Sequence, residues 1–106
     1  MAEKRSSPRK KTRIVVDFDT TTSKTTGFTH DLSRTGLFIR TIRIPSIGKI
    51  LRAVLHLPDG KHMAIEGTVV RSFKAPATLR SLMPSGFALR VSKKDSPEYD
   101  DFASKL

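Results

Sequence analysis

Two short polar signatures stand in fixed order in this sequence, and both carry side chains able to recognise an anion. The first is Arg5-Ser6-Ser7-Pro8-Arg9, two arginines with three residues between them. The second is Asp31-Leu32-Ser33-Arg34-Thr35-Gly36. A guanidinium is a planar fork that donates two parallel hydrogen bonds to phosphate, stacks on a purine face, or bonds the O6 and N7 edge of guanine. A carboxylate such as Asp31 can accept from the N1–H and N2–H edge of the same base. Ser33 would give a hydroxyl to phosphate or brace the loop. Gly36 would supply a positive φ to the turn or let the backbone pass close to a ligand. Each signature alone has a plain alternative: a solvated basic tail for the first, a structural turn between strands for the second. Together they point to a receptor for a guanine nucleotide.

The charge of the chain agrees with an anionic partner. Among 106 residues, 20 Lys and Arg face 10 Asp and Glu, a net charge of +10. Such a surplus favours nucleic acid, a nucleotide, acidic lipid or an acidic protein patch. It is uneven. Lys4, Arg5, Arg9, Lys10, Lys11 and Arg13 crowd the start, opposed only by Glu3, while Asp95, Glu98, Asp100 and Asp101 gather near the end. There is no cysteine, so thiol catalysis, thiolate metal sites and disulfides are excluded. The start lacks the apolar run of a signal peptide and no segment is long enough to span a bilayer, so a cytoplasmic protein without membrane insertion is expected.

The elements that must position the signatures follow from hydrophobic periodicity. Residues 1–12 read as an extended basic arm, and 13–106 as one domain. Ile14, Val16 and Phe18 alternate on one face of a first strand, 13–18. Residues 19–26, almost all Thr, Ser, Asp and Lys, read as a loop or frayed hairpin end, and 28–30 as a short strand entering the Asp31–Gly36 turn. Residues 37–41 form the next strand. Leu51, Ala53, Leu55 and Leu57 alternate over 49–57, and Met63, Ile65, Gly67 and Val69 over 61–73. Between them Pro58-Asp59-Gly60 has the chemistry of a turn. Gly67 in mid-strand suggests a bulge or bend. Residues 74–85 read as a loop and 86–91 as a last strand. Ser96-Pro97-Glu98 then supplies an N-cap, a first-turn proline and an acid, opening a helix over 96–106 with Tyr99, Phe102, Ala103 and Leu106 on one face. The expected fold is all-β in the main: about six antiparallel strands closed into a small barrel, which removes exposed edges, with one short C-terminal α-helix.

With these elements in place, the order Arg-x-x-x-Arg, strand, Asp-x-Ser-x-x-Gly, strand resembles the PilZ domain family. The Leu37-Phe38-Ile39-Arg40 run, the Pro45-Ser46-Ile47-Gly48 break, the Leu57-Pro58-Asp59-Gly60 turn and the Gly67-Thr68-Val69-Val70-Arg71 strand extend the likeness over most of the chain. The resemblance implies a six-stranded barrel and a receptor for the bacterial second messenger cyclic di-GMP. It assigns the grip on phosphate and guanine to Arg5 and Arg9. It assigns the guanine edge and phosphate region to Asp31, Ser33 and Gly36. It also draws attention to Lys4, where the family varies and where the choice between one ligand and a stacked pair is affected. Gly86 precedes the strand that borders the family's ligand.

Other positions are open to two readings. Arg13 and Arg34 are either phosphate contacts or solvated charges. His30, His56 and His62 have no metal-site spacing, and His56 and His62 read as a surface pair across a turn. Asp100 and Asp101, being adjacent, point to different helix faces and make no dyad. No triad or glycine-rich phosphate loop is organised, so no enzyme, no cofactor and no metal is expected. Three functions compete. The first is a cyclic di-GMP receptor that changes shape and signals to an effector protein in motility, pilus or exopolysaccharide control. The second is a ligand-independent adaptor of the same fold. The third, a barrel binding single-stranded nucleic acid, is disfavoured: Trp is absent, there is one Tyr, and most of the six Phe fall in core register.

Overall fold

Period-two alternation becomes a closed barrel. The computed structural model describes residues 10–11, 13–19, 24–76, 78, 85–92, 94 and 96–105. Its strands are β1 (Lys10–Lys11), β2 (Val15–Asp19), β3 (Lys24–Leu32), β4 (Gly36–Arg40), β5 (Ile50–His56), β6 (His62–Phe73) and β7 (Gly86–Val91), followed by helix α1 (Pro97–Ser104). Every pairing is antiparallel. The order β3–β2–β5–β6–β7–β4 returns from β4 to β3, closing a six-stranded ring. Most residues expected to alternate inward do so: Val16, Phe18, Leu51, Ala53, Leu55, Ile65 and Val69 are buried, whereas Leu57, past the end of β5, is partly buried against the core. Phe18 and Phe87 meet edge to face at 5.2 Å in the core. Tyr99 and Ala103 of α1 join the same cluster, with Phe102 partly buried against it. Leu106 lies outside the described residues.

The short β1 has a particular place. Phe28 pairs with both β2 and β4, and Asp31 and Leu32 pair with both β1 and β4. Strand β1 therefore lies on the same edge of β3 as β2, and the two act as one interrupted strand. At the interruption, the buried Thr29 accepts the Ile14 N–H on Oγ1 at 2.8 Å and gives its own N–H to the Ile14 carbonyl at 2.8 Å. Lys10 and Lys11, read from the sequence as part of an extended basic arm, pair with β3 in the sheet.

Three local expectations are sharpened or corrected. Strand β3 begins at Lys24, within the stretch read as a loop or frayed hairpin end, and the hairpin is the outcome: Lys24–Phe28 is paired by β2 from Asp19 back to Val15, and Thr25 and Thr26, being β-branched, suit it. Gly67 marks a close approach and not a bulge: a Cβ there would strike the Arg90 carbonyl and the Leu89 side chain, while the irregularity in β6 falls between Val69 and Arg71. Among the phenylalanines, only Phe18 and Phe87 are fully buried; Phe28, Phe38 and Phe102 are partly exposed and Phe73 is exposed. The Pro58–Gly60 turn is as expected, with Gly60 at φ +88 and the Asp59 carboxylate accepting the Lys61 N–H at 3.0 Å.

Candidate functional site

The second signature occupies the β3–β4 hairpin, and a bulge aims its carboxylate. Thr29 pairs with Ile39 and Asp31 with Phe38, so His30 is the extra residue of β3. Thr29 and Leu32 both face the core, which leaves Asp31, half-buried, on the outer surface of the barrel. Strand β1 passes beside it, with Lys11 opposite Asp31 and Lys10 opposite Leu32. Phe38, the cross-strand neighbour of Asp31, meets the His30 ring edge-on at 6.1 Å.

The turn itself is tightly braced. The Ser33 N–H donates to the Gly36 carbonyl at 2.8 Å. Ser33 is buried; its Oγ lies 3.2 Å from Thr35 Oγ1 and donates to the Gly36 carbonyl at 3.4 Å. Of the two roles open to this hydroxyl, bracing is the one the geometry displays. Of the two readings of Gly36, positive φ does not hold: among the described residues only Gly48 and Gly60 are at positive φ. Its small size instead admits the Leu89 carbonyl of β7, which a Cβ would strike. Gly86 plays the same part at the other end of the β4–β7 seam, against the Ile39 carbonyl and the Phe38 ring.

Helix α1 reaches into this turn, a link the sequence reading missed. Tyr99 was placed on the buried face for packing. Its hydroxyl also lies 2.7 Å from the Ser33 carbonyl and 3.0 Å from the Gly36 carbonyl, sharing its proton between them. The hydroxyl of Ser96, the N-cap, makes no capping bond; it accepts the Glu66 N–H of β6 at 2.8 Å and so fixes the start of the helix to the barrel. Tyr99→Phe is expected to remove a buried donor from the Ser33 carbonyl and to cost about 1–3 kcal/mol, measured as a lower urea midpoint with unchanged slope.

Arg34 and Arg13 have definite partners. Arg34 is exposed and makes a forked pair: Nε lies 3.0 Å from Asp100 Oδ1 and Nη2 3.3 Å from Oδ2. That carboxylate holds the Arg34 pKa above its ordinary value. Asp101, on another face, pairs with Lys105 at 3.2 Å. The Arg13 guanidinium lies 4.4 Å above the Phe28 ring, a cation–π contact. Lys4, Arg5 and Arg9 lie outside the described residues.

A second polar cluster sits on the barrel wall away from the turn. His56 and His62 face each other at 4.6 Å, as expected. His56 Nε2 also lies 2.7 Å from Asp17 Oδ2, and Thr26 donates to Asp17 Oδ1 at 2.7 Å. The Thr26 hydroxyl first, then His56, hold the Asp17 carboxyl below its ordinary value of 3.8. The stability this contributes is present above that value and is lost as pH falls through the depressed one. Thr26→Val is expected to raise the Asp17 pKa, followed by carboxyl NMR during acid titration. No group of three or more His, Asp or Glu among the described residues could hold a metal ion, and none of the described helices is long and apolar enough to cross a membrane.

A closed six-stranded barrel with an Asp-x-Ser-x-x-Gly hairpin and an appended helix defines a small β-barrel domain of the PilZ type. A family model described as PilZ domain matches residues 3–100, and the chain belongs to that family. The structure is similar to that of the Bacillus subtilis inhibitor of motility (MotI/DgrA), with a TM-score of 0.71 at 17% identity, covering 98% of this chain and 51% of that one. The present chain thus spans about half the length of that protein, and the likeness is one of fold. A search of curated proteins finds no match.

Proposed function

We propose that this domain is a cyclic di-GMP receptor that passes ligand occupancy to an effector protein. The observation that carries the reading is the pairing of β1 with β3, which sets Lys11 opposite Asp31. The chain that carries the first signature leads, by sequence, directly into the strand that borders the second. In this reading residues 1–12 form the gripping arm, with Arg5 and Arg9 on phosphate and guanine. Residues 13–106 form the barrel and helix. Asp31 accepts from the guanine edge, Ser33 and Gly36 keep the turn in shape beside it, and Lys4 bears on whether one ligand or a stacked pair is held. The domain works in the cytoplasm, catalyses no reaction, and signals through a shape change. Control of motility is a natural output, given the inhibitor of motility with which it shares a fold.

The test is isothermal titration of the purified chain with cyclic di-GMP, with GTP as control. Saturable heat with cyclic di-GMP alone is the expected result, and its stoichiometry counts the ligands. No binding by calorimetry and by an independent probe would replace this reading with a ligand-independent adaptor. Salt-dependent affinity for single-stranded DNA in its place would favour a nucleic-acid-binding barrel.

A further inference from the structure

Two consecutive residues of α1 grip the signature turn. Tyr99 holds it from inside, its hydroxyl shared by the Ser33 and Gly36 carbonyls. Asp100 holds it from outside, through both oxygens on the Arg34 fork. The inner grip is buried, Tyr99 being 1% exposed. The outer grip is open to water, with the side chains of Arg34 and Asp100 49% and 33% exposed.

The outer grip is not needed to seat the helix. An exposed ion pair adds little to folding, and α1 is already fixed by Tyr99, Ala103, Phe102 and the Ser96–Glu66 bond. The forked contact is nevertheless the geometry that a guanidinium offers a phosphate. Arg34 belongs to the signature itself, three positions after Asp31. A dianionic ligand bound at this hairpin would offer that exposed guanidinium a second partner of the same two-pronged geometry.

Resting on the receptor reading above, we infer that Arg34 is a latch that exchanges Asp100 for a phosphate of the ligand, so that occupancy of the site loosens the outer grip of α1 on the turn. Because coupling between two binding equilibria is reciprocal, the Asp100 contact that competes for Arg34 weakens the ligand, and the ligand weakens that contact by the same factor. The helix becomes the part of the surface through which occupancy is read.

The test uses the full chain. Cyclic di-GMP is titrated calorimetrically into the wild type, Asp100→Asn, Arg34→Gln and the double variant, and hydrogen exchange is followed at the α1 amides. Asp100→Asn is expected to bind roughly two- to fivefold more tightly, since the competing carboxylate is gone. Arg34→Gln is expected to bind roughly fivefold more weakly or worse, and adding Asp100→Asn to it should restore nothing. Ligand should quicken exchange in α1 of the wild type and leave it unchanged in Arg34→Gln. Wild-type binding with Asp100→Asn equal or weaker, or α1 exchange unmoved by ligand, overturns the latch and leaves the receptor reading intact. No binding by the wild type overturns both.

Discussion

Gly86→Ala is expected to lower the stability of this domain by about 3 kcal/mol or more, or roughly 10 °C or more in melting temperature. The position has no side chain because none fits. A Cβ there would be driven into the Ile39 carbonyl of β4 and against the Phe38 ring. A ring can swing aside, but a backbone carbonyl in a ladder cannot, since Ile39 is paired with Phe87 on one side and Thr29 on the other. The seam between β4 and β7 must open to admit the methyl group. Gly60→Ala is the control. That glycine has a positive φ but open space around its missing Cβ, so the cost is conformational, about 1–2 kcal/mol. Hydrogen exchange separates the two: β4 and β7 amides should lose protection in Gly86→Ala and keep it in Gly60→Ala. Equal melting temperatures for the two variants would show that the seam yields.

The larger functional effects belong to Arg9→Ala and Asp31→Ala, each expected to weaken cyclic di-GMP roughly ten- to a hundredfold or more, the loss of one good two-pronged base or phosphate contact. Asp31 lies half-buried on the outer face, while its neighbours Thr29 and Leu32 are buried in the packing. The melting temperature of each variant, measured beside its affinity, separates loss of ligand contact from loss of fold. Undiminished affinity in both would refute the assignment of the site.

The sequence disclosed the barrel because its strands repeat with period two. Leu51 to Leu55 and Met63 to Val69 show it, and the Pro-Asp-Gly turn between them carries its own chemistry. Strand β3 was half hidden, because its threonine-rich start gains its conformation from pairing with β2 and not from an apolar pattern. The signature residues were legible as residue types. Their physical roles were legible only in part, because the same glycine can serve a turn or a close approach, and only the neighbouring strand decides. Gly36 serves the approach of Leu89. The phenylalanines were overcounted as core because partly covered rings on the outside of a barrel follow no period that one strand reveals. The bond from Tyr99 to a carbonyl 66 positions earlier in the chain leaves no local trace at all.

The bulge at His30 makes a point about parity. Sides alternate along a strand, so Thr29 facing inward would send Asp31 inward as well if the count were regular. One supernumerary residue reverses every assignment after it: Leu32 turns to the core and the carboxylate to the surface. Deleting His30 would do more than shorten β3. It would exchange a leucine for a charge in the interior and remove the Asp31 carboxylate from the exterior in a single event. The outward placement of the Asp31 carboxylate thus depends on a residue that needs no chemistry of its own, only a place in the count.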